Sequence, residues 1–593
     1  MTRLSGLLLV AFAFTTTPRL AHADDTAVAP EPREVVPPTA PVKDAMPLSK
    51  LAPAKPMFDA CVYRYAVSTT SPQCQAFVNQ GLGMYYSYVW IEAVRSFETA
   101  LRHDPECAYA WLMLHRSMEK WGGAGGGTVT AGPFQAAVGG LVHTRLPERA
   151  GKAPRDYALE MARKLMPKAN HREQLIIQAR LQEKGMWPNT PPEERRTRAQ
   201  QALDELLMLY EDDTEGWFWR AQLASGPQFQ VPGGPVSPPQ GTGAAAAAVF
   251  YKALLRVDPL HPGANHELVH LFEAIRRPAL GWPYAEGYIK SSPGMPHALH
   301  MQAHLAMRIG KWGPTTDWSA AAVELEKEYH KYQGVLPRED HQFSHHMETL
   351  TRSLVHDGRF AEAKAVRAEA EGYKYAFRPE WFRMALAQKD WDAAQKVIDD
   401  VRSKGGRDKT TAAYYSALLA LEKGDTGRAA AEIDTLRQLA QTRKSDKALE
   451  QRLWEVQGRH LCQTGQGEAG LKLLKKAVDA TKNDYFHHAW GNGAVLMEAW
   501  GVGALEAGAA AAAEEAFQEA LAHDAGSVRG ALGMWALCDR LGRTEEADRY
   551  LKVARRCWAK ADPRDFDRLK ADLAAKATRL TKAVAATEED EPR

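Results

Sequence analysis

Apolar residues recur at spacings of three and four along almost the whole chain, with very few alternating β-branched runs, and this periodicity predicts helices throughout. The helices are punctuated by one short grammar. A helix ends on a small turn and the next begins with alanine on its inner face, as in "GRFAEA" at Gly358, "KDWDAA" at Lys389, "GDTGRAA" at Gly424, "GQGEAG" at Gly465 and "GRTEEA" at Gly542. Gly508 and Gly542, Ala513 and Ala547, and Ala520 and Ala554 are each 34 residues apart. A fixed period with small residues at the closest helix contacts predicts stacked two-helix units, and hence an all-α chain.

Three stretches break the pattern. "VAPEPREVVPPTAPVKDAMPLSKLAPAKP", from Val28 to Pro56, reads as an extended proline-rich tether. "GGAGGG" at Gly122 to Gly127 and "GPQFQVPGGPVSPPQGTG" at Gly226 to Gly243 read as loops, the first without the Gly-Lys-Ser/Thr that a phosphate loop needs. The expected organisation is a leader over 1–23, a disordered linker over 24–57, helical repeats over 58–225, a loop over 226–243, a histidine-rich helical region over 244–375, further repeats over 376–575 and a charged tail over 576–593.

The unit "FVNQGLGMYYSYVWIEAVRSFETALRHDP" carries small, aromatic and proline residues at Phe77, Gly81, Ala93, Phe97, Ala100 and Pro105. In this pattern the chain resembles the tetratricopeptide repeat family. The resemblance implies a right-handed superhelical solenoid whose first helices line an inner groove and bind a protein or peptide there. "DPLHPGANHELVH" followed by "PGMPHALHMQAHLAMRIGKW" also looks like a bacterial subgroup of such proteins in which a His-Pro-Gly segment precedes paired histidines. This chain departs from that pattern at Asn265 and Glu267.

Composition narrows the function classes. At 593 residues, with 45% hydrophobic and 25% charged residues and a formal charge of +2, the chain has no general attraction for nucleic acid. The N-terminus has a basic Arg3, a mostly apolar run from Leu4 to Phe14 and an Ala21-His22-Ala23 cleavage pattern, and reads as an export leader. An exported protein, periplasmic or secreted, is expected, with no membrane span after cleavage because no later run reaches about 20 apolar residues. Of the six cysteines, Cys74 and Cys107 are the pair chosen for a disulfide, with free buried thiols as the alternative.

The candidate chemistry lies in the histidines. His266 and His270 share a helix face, as do His300 and His304, and the two pairs are 34 residues apart. Aligned on the turn glycines, His297 and His345 also correspond, and Glu348 and Arg352 fall where His300 and His304 stand one unit earlier. The metal-ligand candidates are therefore His266, His270, Glu273, His297, His300, His304, His345 and Glu348. Helix axes roughly 8–10 Å apart let imidazoles of two helices meet at one ion.

Three readings follow. HELVH at His266 to His270 matches a zinc-peptidase helix with Glu267 as general base, although the repeat register alone explains the pair and "HMQAH" carries no matching glutamate. A pocket without hydrolysis would hold zinc or another transition metal on the imidazoles, or an anion on Arg308 and Arg352. Hydrogen-bonded packing histidines are the third. The leading expectation is an exported scaffold that binds a protein or peptide in its groove, with His300, His304, Arg308 and Arg352 facing the partner and no cofactor or catalysis required. Metal binding or metal-dependent hydrolysis is the alternative.

Overall fold

The computed structural model describes residues 45–123, 153–224, 230–231, 234–235, 245–337, 340, 342–404, 408–442, 446–481 and 494–580, which all belong to one unit, Pro41–Arg593. The leader, the glycine run beyond Gly123, most of the 226–243 loop and residues 581–593 lie outside these. Within residues 230–235 the described backbone forms a two-residue antiparallel ladder, Gln230 to Pro235 and Val231 to Gly234.

All other regular structure among the described residues is helical. The described helices are α1 (Pro72–Tyr86), α2 (Trp90–His103), α3 (Ala108–Gly123), α4 (Pro154–Leu165), α5 (His171–Glu183), α6 (Arg195–Leu209), α7 (Thr214–Gln222) and α8 (Ala245–Val257), followed by the central group. That group is α9 (Pro262–Ala274), α10 (Pro278–Ser291), α11 (Pro296–Arg308), α12 (Trp312–Gln333), α13 (Phe343–His356) and α14 (Phe360–Gly372). The C-terminal group comprises α15 (Arg378–Gln388), α16 (Trp391–Lys404), α17 (Asp408–Lys423), α18 (Thr426–Gln441), α19 (Lys447–Gln463), α20 (Gly467–Thr481), α21 (Val495–Ala507), α22 (Ala510–His523), α23 (Val528–Leu541), α24 (Thr544–Cys557) and α25 (Pro563–Lys576). Nearly every helix packs on its successor, as in a solenoid of helical hairpins.

The punctuation read from the sequence has a backbone cause. Gly310, Gly358, Gly424, Gly465, Gly508 and Gly542 all take positive φ at the end of a first helix, a conformation that glycine adopts without the strain a Cβ brings. Lys389 occupies the same turn position at φ 55°. Within hairpins, Gly81 sits against Phe97, Gly458 against Leu474 and Gly501 against Phe517, and a Cβ on any of these glycines would lie 2.5–2.7 Å from the facing side chain. No described helix is long and apolar enough to cross a membrane.

Three expectations are corrected. Residues 45–57, read as part of a tether, lie against α2: the Leu48 and Ser49 amides donate to the Glu98 carboxylate at 2.6 and 3.0 Å, and the Ala54 amide donates to Thr99 Oγ1 at 3.0 Å. Met46 and Leu48 of this strap are buried, so the segment has the apolar anchors that its proline content obscured. At the other end, Lys576 still belongs to α25 and Leu580 is buried, so the packed chain continues past the expected boundary. All six cysteines are free, and Cys74 is hydrogen-bonded to Cys107 as a thiol neighbour rather than joined to it.

Candidate metal centre

The His-Pro-Gly segment is first of all a helix start. His261 Nδ1 caps α9 by accepting from the Ala264 amide at 3.1 Å, and Pro262 occupies the first turn, where a missing N–H costs nothing. Gly263 is required because a Cβ there would lie 2.6 Å from the Tyr86 ring and 2.7 Å from Phe218. This start sets the rotation of α9, so that His266 and His270, one turn apart, face α11. α11 begins on Pro296 and presents His297, His300 and His304, and α13 adds His345 and His346. α12 contributes Glu326 and His330, and the connection after it contributes Asp340.

The imidazoles form a ladder. His266 Nε2 is 3.0 Å from His297 Nε2, His297 Nδ1 is 3.4 Å from His346 Nε2, and His304 Nε2 is 3.2 Å from His345 Nε2. His300 lies between the rungs, its ring centre 4.0 Å from that of His346, 4.3 Å from His304 and 4.6 Å from His345. Three overlapping sets have ligand atoms all within 4.8 Å of one another: His266, His270 and His297; His297, His300 and His346; and His300, His304 and His345. Two nitrogens on one tetrahedral ion, each about 2.0–2.1 Å from it, stand about 3.3–3.4 Å apart, close to the observed spacings.

Outer partners orient several rings. His266 Nδ1–H donates to the Tyr86 carbonyl at 2.6 Å, which fixes the tautomer and turns Nε2 inward. Tyr86 is itself held by its hydroxyl, which donates at 2.5 Å to Glu215, a buried carboxylate that also accepts from Tyr63, Tyr109 and Trp219. His304 Nδ1 donates to Glu273 Oε1 at 3.0 Å, and His346 Nδ1 stands 2.7 Å from Glu326 Oε2. Histidine ligands commonly show this arrangement, with one ring nitrogen held by a carboxylate or carbonyl so that the other faces the ion.

Burial and charge decide the protonation states. Burial, reinforced by neighbouring imidazoles, holds His266, His297, His300 and His345 well below the usual histidine range, so these rings are neutral and able to ligate. Burial opposes ionisation of Glu273, but Arg308, which bonds its carboxylate through Nε at 3.0 Å, and His304 outweigh it and hold the carboxyl well below the usual range. Glu326 goes the other way, with burial and the nearby Asp340 pushing its carboxyl well above the usual range.

Hydrogen bonding accounts for part of the ladder. Neutral His266 can accept at Nε2 from His297, and His297 can accept at Nδ1 from His346. Protonated Glu326 completes that chain. His300 stands outside it: neither ring nitrogen has a hydrogen-bond partner, and its exposure is 0%. His270 Nε2 is likewise buried and unpartnered, while its Nδ1 lies 3.6 Å from Glu273 Oε2.

The structure brings together His266, His270, His297, His300, His304 and His345, with Glu273 beside them as a bridge to Arg308 rather than within any of the three sets. Glu348 is drawn off by Arg352, whose Nη2 donates to it at 3.0 Å while Nε donates to Glu380 at 3.0 Å. The four residues expected to face a partner are turned inward: His300 and His304 are buried, and Arg308 and Arg352 are largely covered by their ion pairs. Glu267 points away from the ladder, where Oε1 accepts from Tyr88 OH at 2.9 Å and from Gln222 Nε2 at 3.2 Å. It lines a small pocket with Lys120 and Trp90, and burial raises its carboxyl to about 7.

Sequence reading missed His346, Glu326, His330, Asp340 and Tyr88. His346 adjoins a candidate, and Glu326 and His330 sit four apart on one face of α12, a spacing that was available. Tyr88 falls in the first repeat unit, outside the residues that carry its pattern. It takes φ 58° and lays its ring 4.3 Å from His266 and 5.8 Å, nearly parallel, from His270.

No family model and no curated protein matches the sequence. Among solved structures, the chain is similar to the yeast Tom70, at 12% identity over 85% of this chain and 88% of that chain with a TM-score of 0.23. It is also similar to the APC/C hetero-tetramer Cut9-Hcn1, at 9% identity over 85% and 90% with a TM-score of 0.27. A third is the P58(IPK) TPR domain, at 14% identity over 57% and 93% with a TM-score of 0.17. The class that stands is an all-α helical-repeat solenoid, and the reading of its site rests on the residues themselves.

Proposed function

We propose that this solenoid is a transition-metal-binding protein whose central units, α9 to α13, enclose a histidine centre. The observation that carries the reading is His300, fully buried with both ring nitrogens unpartnered and surrounded by His304, His345 and His346. Each unsatisfied buried polar group costs about 1–3 kcal/mol, and a bound ion removes that cost. An imidazole-rich donor set favours zinc, copper, nickel or iron over calcium or magnesium, which take oxygen ligands. The leader-like N-terminus supports an exported protein, which would meet such ions outside the cytoplasm. The groove-scaffold reading finds little support at these positions, because its proposed contact residues are inside.

Elemental analysis of full-length, tag-free protein purified without chelator tests the reading. At least one equivalent of a first-row transition metal is expected in the wild type, with a loss of one equivalent or more in His300→Ala at unchanged helicity. Wild type that is metal-free, and stays so after incubation with zinc and gel filtration, overturns it.

A further inference from the structure

The ladder is longer than one ion requires. A single tetrahedral ion uses at most four of the seven imidazoles and leaves at least three off the metal. Two of the three sets share no residue: His266, His270 and His297 form one, and His300, His304 and His345 form the other. We propose that the centre holds two transition-metal ions in tandem, one on each of these sets. The inference rests on the metal-binding reading above and adds the number of ions and the residues of each.

Four features divide the ladder this way. Each set contains a buried nitrogen that no hydrogen bond explains, His270 Nε2 in the first and both nitrogens of His300 in the second. Each contains one ring whose outer N–H is already committed, His266 to the Tyr86 carbonyl and His304 to Glu273, so that Nε2 is presented inward. Each supplies three imidazoles, leaving a coordination position for an exogenous ligand, as catalytic zinc sites do and closed structural sites do not. Finally, Glu273 stands between the sets, with Oε1 on His304 and Oε2 3.6 Å from His270, so one carboxylate orients a ligand of each and offsets part of their charge. The middle set borrows His297 from one group and His300 from the other, so a third ion would have to share those rings. His346 touches one ring of each set, its Nε2 3.4 Å from His297 Nδ1 and its ring centre 4.0 Å from that of His300.

Titration of metal-free full-length protein with Co(II), followed by its visible absorption, tests the number without any variant. A break at two equivalents per chain is expected. A break at one overturns the inference while leaving the metal-binding reading intact, and no binding overturns that reading itself. Two double variants then assign the sites: His266→Ala/His270→Ala and His304→Ala/His345→Ala should each bind one equivalent, with helicity retained by circular dichroism. If either variant keeps two equivalents, or a folded variant binds none, the partition into two independent sets is wrong.

Discussion

The units of α9 to α13 and those of α21 to α24 share one hairpin and fill its inner face with different chemistry. Six residues before the turn glycine stands His304 in the central region, where Val502 and Ala536 stand in the C-terminal one. Ten residues before it stands His300, where the later units have Glu498 and Leu532. All five of His304, Val502, Ala536, His300 and Leu532 are buried. Glu498 is only half-buried, so in these three units burial is common to the position six residues before the glycine, and what is buried there is a property of the unit. Apolar side chains there stabilise the stack by about 1.5–3 kcal/mol each, whereas an imidazole must find a partner to break even.

The largest expected effect lies on the apolar side of that comparison. Phe517 is fully buried and wedged between Gly501 and Gly533, whose missing side chains admit its ring. Phe517→Ala should cost about 3–5 kcal/mol, because neighbours that are already glycine have no side chain to fill the cavity. Urea unfolding measures the loss, and hydrogen exchange should localise it to α21 to α24. Metal content should not change. A loss of metal in this variant would show that the two regions are one cooperative unit and would weaken the contrast between them.

A smaller effect tests the seam where the regions meet. Asp524, at the end of α22, accepts from Trp312 Nε1 at the start of α12, and burial raises its carboxyl to about 7 from an ordinary value of 3.8. A folded-state value above the unfolded one means that the native protein holds this proton more tightly. The stabilisation is complete below about pH 4 and is lost as pH rises to about 7. It amounts to a few kcal/mol at most, and in Asp524→Asn this part of the pH dependence should vanish. Denaturation midpoints of both proteins at pH 5 and pH 8 decide it: an equal slope in the two would remove Asp524 from the account.

How far the sequence carried this picture depends on the kind of information each residue holds. Turn glycines were legible because positive φ restricts the residue type, and the same logic explains why Lys389 kept the punctuation while breaking the composition. The histidine register was legible because a period of 34 puts equivalent residues on neighbouring helices. Not legible was which imidazoles would be enclosed, since that depends on the Tyr88 turn, which lays its ring against His266, His270 and His297 and carries no periodic signal. Glu326 and His330 were missed for a related reason: α12 is a second helix, and the histidine register runs along first helices. Glu348 was misplaced because register locates a carboxylate on a face but does not show that Arg352, four residues on, will claim it.

The smallest expected effect separates a metal centre from a peptidase motif. In the HELVH reading Glu267 is the base that activates metal-bound water, so it must reach the ion's open position. Here its Oε1 is held by the Tyr88 hydroxyl and by Gln222, and the Tyr88 ring lies over His266 and His270. Glutamine at this position has the same shape and can still accept from Tyr88. Glu267→Gln should therefore leave metal content within error of the wild type and preserve the fold. A drop in metal would mean that the bond from Tyr88 to Glu267 braces the first tri-histidine set, making Glu267 a positioning residue. Unchanged metal content, together with loss of a peptidase activity that the wild type possesses, would restore the catalytic reading, because Tyr88 would then have to swing aside when substrate binds.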